Sequence, residues 1–444
     1  MSACRKALVL SRPNLICLMH TLLSLLLLSG FLSFLLPESP QLVEVEESSQ
    51  WYQPEQTLAQ QNQEISFWQQ KHIAAPNQLT YKLQLASAYE QRFATYGQIK
   101  DLKMAESLLA EGLEKASVQR IFFLRALARN YISQHRFQDA LQMAEAAMEH
   151  SDSKMKSTYL LFDVFMELGR YEEAEALLVK MAAKPQFQYL IRKAKWEDHK
   201  GNLAFAIARL EEAKAQLNPQ QQKGQAIWLY ANLADFYGHA GRIEEAYQHY
   251  KMTLELDPAN WYAYKGLAWI AYAQDGNPAE ARKIVHQVMR YNDSPDLHLF
   301  LAELYEFEGN SACAEAEQYA FQQTSTQEAY GHMYRIPNLE LLLAEGQTQE
   351  ATQLAQAEVQ ERPTSETYGF LSLALYRAGA VAEARELASN QVWEKTVEPV
   401  ALLQLREVFP EDQKMQSFIT EELSGAAFEI GPLTYQEIKS KKID

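Results

Sequence analysis

The chain has 444 residues, of which 47% are hydrophobic and 22% charged, and this composition excludes a disordered, low-complexity or collagen-like protein. Its 17 glycines and 15 prolines are few for this length, which disfavours turn-rich β-sandwiches and barrels and favours long helices. The 41 basic and 57 acidic residues give a formal net charge of −16, which argues against binding to nucleic acid or to an anionic lipid surface.

Residues 15–36 are an apolar stretch without Asp, Glu, Lys or Arg, and about 20 such residues cross a bilayer core. We therefore predict that residues 1–36 contain a hydrophobic helix that serves as a signal anchor or signal peptide. Arg5, Lys6 and Arg12 precede the stretch and acidic residues follow it, so the repeat domain is expected outside the cytoplasm, in the periplasm or on the cell surface. The length and the lack of a small-residue cleavage site favour an anchor; a cleaved signal and a secreted protein are the alternative.

Residues 37–78 are predicted to be a spacer. Pro37, Pro40 and Pro54 interrupt it, and glutamine is dense from Gln50 to Gln70. A helix from about residue 58 to 74 is expected at its end, where the spacer leads into the first packed helix.

A repeat of 34 residues is clearest from Ile227 to Asn260. Two helices joined by a turn at Gly241 fit this segment, because apolar residues recur three or four apart and Pro258 stops the second helix. The positions that carry the pattern are Tyr230, Leu233, Ala234, Tyr237, Ala246, Tyr250 and Pro258. This pattern resembles the tetratricopeptide repeat, a helix–turn–helix unit of 34 residues.

The alanine of the second helix recurs at intervals of 32 to 40 residues along the chain. The nine positions are Ala105, Ala140, Ala174, Ala206, Ala246, Ala281, Ala314, Ala351 and Ala384. We predict an all-α solenoid of about nine such repeats over residues 79–395, and the resemblance implies that it winds as a right-handed superhelix. Capping helices are expected over residues 396–424, followed by an irregular or edge-packing tail over residues 425–444.

The inner groove of such a solenoid is lined by first-helix residues that face away from the core, and it is the expected binding surface. Basic and aromatic candidates could hold a carboxylate and cover an extended peptide. They are Arg125, Arg129, Arg192, Lys195, Trp228, Asn232, Tyr262, Lys265 and Trp269. An equally simple alternative is that Arg125, Arg129 and Lys195 form weak ion pairs with acidic residues on adjacent helices.

No catalytic or cofactor motif is found: the sequence lacks a P-loop, G-x-G-x-x-G, H-E-x-x-H and G-x-S-x-G. Cys313 is the one cysteine outside the N-terminal region, so neither an internal disulfide nor a thiolate metal site is expected. We predict a non-enzymatic, membrane-tethered scaffold for protein or peptide partners, with no cofactor, metal or nucleic acid. The alternatives are a permanent structural subunit of a cell-envelope assembly, which predicts a large apolar patch on the convex face or tail, and an enzyme whose site is invisible in sequence.

Overall fold

The computed structural model of the protein describes residues 41–43, 54–150, 154–183 and 186–440. Regular structure within these ranges is entirely helical, as the sequence predicts, with 22 α-helices and one short 3-10 helix at Glu328–Tyr330. The α-helices are α1 (Pro54–Ala74), α2 (Leu79–Tyr96), α3 (Ile99–Lys115), α4 (Arg120–Ser133), α5 (Phe137–Met148), α6 (Lys154–Glu167), α7 (Tyr171–Met181), α8 (Phe187–His199), α9 (Leu203–Ala215), α10 (Lys223–His239), α11 (Ile243–Leu256), α12 (Trp261–Ala273), α13 (Pro278–Met289), α14 (Asp296–Phe307), α15 (Ser311–Ser325), α16 (Arg335–Ala344), α17 (Thr348–Glu361), α18 (Ser365–Arg377), α19 (Val381–Gln391), α20 (Pro399–Val408), α21 (Gln413–Gly425) and α22 (Ala427–Ser440).

Helices α2 to α19 form nine consecutive pairs within the described residues, in agreement with the predicted repeats. Each second helix carries the predicted alanine, and all nine alanines are buried. In the pair α10–α11, Ala234 and Ala246 are both fully enclosed, which lets the two backbones approach closely. Gly241 between these helices has a φ of 69°, a left-handed conformation that costs little for glycine.

First helices of successive repeats contact one another directly, as α4 does α6, α6 does α8, α10 does α12, and α18 does α20. They form the inner layer of the stack, and the second helices form the outer layer. The apolar faces of both layers merge into shared clusters of buried side chains, the largest of which contains residues from Phe187 to Leu304 together with Val43. Because each repeat buries most of its apolar face against its neighbours, stability arises from the array as a whole.

Repeats distant in sequence also meet, because the stack returns on itself. The end of α2 lies against the α13–α14 connection, where the Asp293 amide donates to the Tyr96 carbonyl (3.0 Å) and Asn292 Nδ2 donates to the Thr95 carbonyl (3.1 Å). Further along, Gln138 Nε2 donates to the Glu361 carbonyl (3.1 Å). These bonds hold the early repeats against the late ones.

The predicted N-terminal hydrophobic helix, over residues 15–36, lies outside the described residues. Among the helices of the described part, none is both long and apolar enough to cross a membrane. The predicted helix of the spacer is present as α1, which starts at Pro54. Just upstream, Val43 is buried, and the amides of Leu42 and Val43 donate to the Asp275 carboxylate at 3.0–3.2 Å.

The C-terminal region differs from its prediction. Helices do occupy residues 396–424, as α20 and α21, but the tail predicted to be irregular over residues 425–444 forms helix α22 through most of its length. Gly431 (φ 80°, ψ 160°) has a non-helical conformation, so Gly431 and Pro432 divide this element into two helical segments that meet at a kink. The reason is tertiary: Phe428, Ile430 and Ile438 pack against the buried clusters of the repeats, and this packing orders the helical segments on both sides of the two helix breakers.

Candidate functional site

The concave surface is defined here as the solvent-facing side of the inner-layer helices α2, α4, α6, α8, α10, α12, α14, α16, α18 and α20. All nine residues predicted from the sequence lie on helices of this layer. Their surroundings divide the surface into a region on α4, α6 and α8 and a region on α10, α12 and α14. The first holds the predicted basic residues, with the exception of Lys265, and the second holds the predicted aromatic ones.

Arg192 on α8 is enclosed by its neighbours and is only 8% exposed. Its Nη2 donates to Asp163 Oδ2 (2.5 Å), its Nε donates to the Tyr159 carbonyl (3.0 Å), and its guanidinium lies 4.7 Å from the centre of the Tyr159 ring. Burial raises the pKa of the Asp163 carboxyl, and the Arg192 charge opposes that rise. Arg192 therefore joins α6 to α8 and has little freedom to bind a ligand.

The other basic candidates of this region differ in how accessible they are to a ligand. Lys195 Nζ donates to Glu167 Oε1 (2.7 Å), which is the kind of interhelical pair the alternative interpretation predicts. Arg125 is buried and donates to Ser157 Oγ (2.9 Å). Arg129 is exposed, and desolvation by the surrounding helices lowers the pKa of its guanidinium. Of these three, Arg129 is the cation that the concave surface presents most openly.

The aromatic region begins on α10, where Trp228 is 44% exposed and Asn232 Nδ2 donates to the Trp228 carbonyl (2.7 Å). One turn further along, Asp235 accepts hydrogen bonds from the hydroxyls of Tyr250 (2.6 Å) and Tyr262 (2.7 Å). Burial raises the pKa of Asp235, while both tyrosine donors oppose the rise. The Tyr262 ring is thereby fixed at the groove surface.

Lys265 and Trp269 continue this region along α12. Lys265 Nζ donates to Asp296 Oδ2 on α14 (2.6 Å), so its charge is already paired. The Trp269 indole Nε1–H donates to the backbone carbonyl of Phe428 (2.9 Å), which lies in the C-terminal tail. A predicted groove residue thus holds a segment of the chain's own C-terminus.

The tail segment, defined as residues 426–434, lies across the concave surface. Helix α22 contacts α10, α12 and α14, which are all helices of the inner layer. The Phe428 ring stands edge-on to Trp269, with 6.5 Å between ring centres, and packs over the Cα of Gly238. A side chain at Gly238 would collide with that ring, so this glycine creates the space that Phe428 fills.

Carboxyl groups gather around the tail segment. Burial raises the pKa of Glu398 to about 7, and the charges of Asp198 and Glu429 reinforce the rise. Burial also raises the pKa of Glu429 in the tail, with His239 opposing and Asp198 reinforcing. Under the kink of α22, burial raises the pKa of Glu303 to about 7, and the Tyr272 hydroxyl opposes this rise.

A cleft of about 380 Å³ remains beside the tail segment. Its walls are Asp235, His239, Tyr250, Tyr262, Lys265, Gly266, Trp269, Phe428 and Glu429. Three predicted residues, Tyr262, Lys265 and Trp269, meet here, whereas Trp228 and Asn232 lie earlier on α10 and the basic residues of α4 and α8 lie elsewhere. The predicted binding site does not include Asp235 or the tail residues Phe428 and Glu429, although Asp235 lies on the predicted inner face of α10 and Phe428 belongs to the apolar part of the tail. A peptide-binding role for the nine residues stays a prediction.

Metal binding has no visible basis in the part of the chain that the structure describes, since it contains no group of three or more His, Cys, Asp or Glu side chains able to hold an ion. Raised carboxyl pKa values can mark catalytic sites. Here, burial is the largest cause of each rise named above.

Comparison with known proteins supports the repeat assignment. The tetratricopeptide-repeat family model matches residues 131–193 and 238–304. Cellulose synthase 1 operon protein C of Komagataeibacter xylinus is 38% identical over 85 residues, which are 19% of this chain and 6% of that protein. The aligned segment thus spans only a small part of that relative.

The solved structures that match this chain share little sequence identity with it. A tetratricopeptide repeat protein from Parabacteroides merdae ATCC 43184 has a TM-score of 0.37 and 17% identity, covering 55% of this chain and 95% of its own. The Rap conjugation gene regulator of plasmid pLS20, in complex with the Phr* peptide, has a TM-score of 0.41 and 16% identity, covering 56% and 77%. Yeast Tom70 has a TM-score of 0.42 and 14% identity, covering 82% and 90%.

Proposed function

We propose that this chain, whose repeats match the tetratricopeptide-repeat family model over residues 131–193 and 238–304, is a non-enzymatic scaffold that binds protein or peptide partners on its concave surface. The observation that carries this proposal is the exposure of large side chains on the inner layer. Trp228 and Tyr262 are 44% and 43% exposed although they lie between well-packed repeats, and Arg129 is exposed on α4, in the other region of the concave surface. Exposed aromatic and arginine side chains are the residue types that dominate protein interfaces.

A permanent structural subunit would instead present a broad apolar patch on the outer layer or the tail. Phe428 and Ile430 of the tail are turned inward onto the repeats. The exposed apolar residues of the outer layer stand on separate helices, with Val179 on α7, Phe205 on α9 and Tyr319 on α15. Such scattered residues are ordinary for a protein surface, so the structural-subunit alternative gains no support from them.

The proposed function includes a location. A hydrophobic segment at residues 15–36, with basic residues before it and acidic residues after it, supports a membrane tether and an extracytoplasmic repeat domain. We expect the full chain in the membrane fraction, with its repeats digested by a protease added outside the inner membrane. A chain found in the soluble cytoplasmic fraction would contradict the tether.

Partner binding is tested by affinity capture with the full chain from solubilised membranes, followed by mass spectrometry. We expect that the double variant Arg129→Glu, Trp228→Ala loses stoichiometric partners, because it reverses an exposed charge and removes an exposed ring on the concave surface. The matched control is Lys180→Glu, Phe205→Ala, which makes the same kinds of change on the outer layer. Equal capture by the two variants would count against the concave surface.

A further inference from the structure

The tail segment is held by the concave surface in the way that a peptide ligand is held. An aromatic side chain, Phe428, fills a site between Gly238 and Trp269, and the carbonyl of the same residue accepts a hydrogen bond from the Trp269 indole (2.9 Å). Fixing one residue by both its ring and its backbone is typical of an anchor position in peptide recognition. Helix packing alone does not require an indole-to-carbonyl bond in the middle of this surface.

Gly431 marks where the tail approaches the groove floor most closely. Its φ is 80°, and a side chain at this position would collide with Trp269 and with the Glu303 carboxylate. Gly431 and Pro432 therefore shape an extended bend that fits the floor between α12 and α14. The bend and the Phe428 anchor define a site about seven residues long.

Electrostatic repulsion disfavours the tail segment in this site. Glu429 lines the same cleft as His239, whose interaction with it is attractive, while the charges of Asp198 and Glu398 act on it with the repulsive sign. A neutral or basic residue at the position of Glu429 would avoid this repulsion. The tail is therefore a weaker occupant than the site could accept.

The two halves of α22 are also attached differently. Beyond the kink, Ile438 is buried among α16 to α21, and its carbonyl accepts from Arg406 Nη2 (3.3 Å). Before the kink, Phe428 and Glu429 are only partly buried, and Gly425 precedes them as an exposed glycine. The first half could leave the groove while the second half stays in place, since glycines lie at both ends of it.

We propose that residues 427–433 occupy in cis the site at which a short segment of a partner docks. The partner segment carries an aromatic anchor, a neutral or basic residue after it, and a Gly-Pro-type bend three residues beyond the anchor. The partner displaces the tail when it binds. This inference rests on the proposed function and adds to it the location of the site, the chemistry of the ligand and an internal competitor.

The test uses the full chain in detergent and a fluorescently labelled peptide with the sequence of residues 426–434, read by anisotropy. Phe428→Ala removes the ring from the anchor position and places no other large side chain there. We therefore expect the peptide to bind this variant at least about tenfold more tightly than it binds the unaltered chain. A peptide carrying E429Q should bind more tightly still at pH 8. Absence of binding to F428A at millimolar peptide, or equal binding to both chains, would overturn the proposal.

A second variant controls for the site itself. Gly238→Leu fills the space of the Phe428 ring with a good helix former, so it should abolish peptide binding in the F428A background while helical content and the thermal midpoint are kept. Peptide binding that persists in this double variant also contradicts the assignment. If Gly238→Leu blocks the peptide but leaves partner capture unchanged, the proposed docking site is wrong and the scaffold function stands. If the variants of Arg129 and Trp228 also leave capture unchanged, the scaffold function falls too.

Discussion

The two regions of the concave surface use charge in opposite ways. On α6 and α8, Arg192 and Lys195 pair with Asp163 and Glu167 across helices, so opposite charges there join neighbouring repeats. Around the tail segment, carboxyl groups face one another, and burial beside like charges raises their pKa values. The first arrangement stabilises the stack, whereas the second leaves a site whose occupant is exchangeable.

This contrast changes which residues can be used to probe binding. From the sequence, a basic residue on the groove side of a helix is a candidate for ligand binding. In the structure, Arg192 instead joins two neighbouring repeats. The aromatic residues of α10 and α12 have the opposite character, because their rings reach the surface. Binding and folding are therefore separable by mutating different regions.

The largest effect is expected from removing an ion pair that joins neighbouring repeats. Arg192→Ala leaves Asp163 without its partner and removes two hydrogen bonds to backbone carbonyls, so we expect it to lower the free energy of unfolding by about 3 kcal/mol. Lys195→Ala is the control, because it removes a half-exposed pair worth less than about 1 kcal/mol. Urea denaturation followed by circular dichroism measures both, and equal midpoints would contradict a structural role specific to Arg192.

A smaller effect is expected from pH on the docking of the tail. Glu303 and Glu398 have pKa values of about 7, above the ordinary glutamate value, and that of Glu429 is raised as well. A carboxyl group with a raised pKa binds protons more readily in the docked state, so docking is favoured where these groups are protonated; it weakens as pH rises from about 4.5 to about 7 and changes little above that. We expect amide hydrogen exchange in residues 427–433, corrected for its intrinsic pH dependence, to be several-fold slower at pH 5.5 than at pH 8.

Two variants test whether the charge of the tail causes this dependence on pH. Glu429→Gln removes the charge that the tail brings to the site, so it should slow exchange at pH 8 and flatten the dependence on pH. Glu350→Gln replaces an exposed carboxylate at the start of α17 and should leave the dependence unchanged. A pH-independent exchange rate in the unaltered chain would remove the electrostatic argument for a displaceable tail.

The repeat architecture was predictable because its determinants are local and periodic. The alanines of the second helices, of which Ala246 is one, recur with the spacing of one helical pair, and each of them is buried in the structure. Glycine at the turn and proline after the second helix mark where the helices end, and their effect depends only on backbone conformation. These features require no knowledge of distant contacts.

The site was less predictable because it depends on residues far apart in the chain. Trp269 and Lys265 were found from their helical face, but their partners Phe428 and Asp296 lie 159 and 31 residues away. The tail, predicted to be irregular or to pack along an edge, contains the helix breakers Gly431 and Pro432, and its order comes from contacts with α10, α12, α14 and α21 that no local pattern indicates. Burial of Arg192 was invisible for the same reason, since spacing places a side chain on a face without revealing what covers it.

The smallest effect separates the ring of Tyr262 from its hydroxyl. Tyr262→Phe removes one hydrogen bond to Asp235, which still accepts from Tyr250, so we expect a loss of about 0.5–1 kcal/mol in unfolding free energy. Tyr262→Ala should cost no more than about 1 kcal/mol beyond this, because the ring is 43% exposed, yet it should weaken partner capture where Tyr262→Phe does not. Parallel urea midpoints and capture yields test the pair. If both variants reduce capture equally, the hydroxyl rather than the ring is what the partner contacts, and the aromatic region of the groove acts through polar recognition.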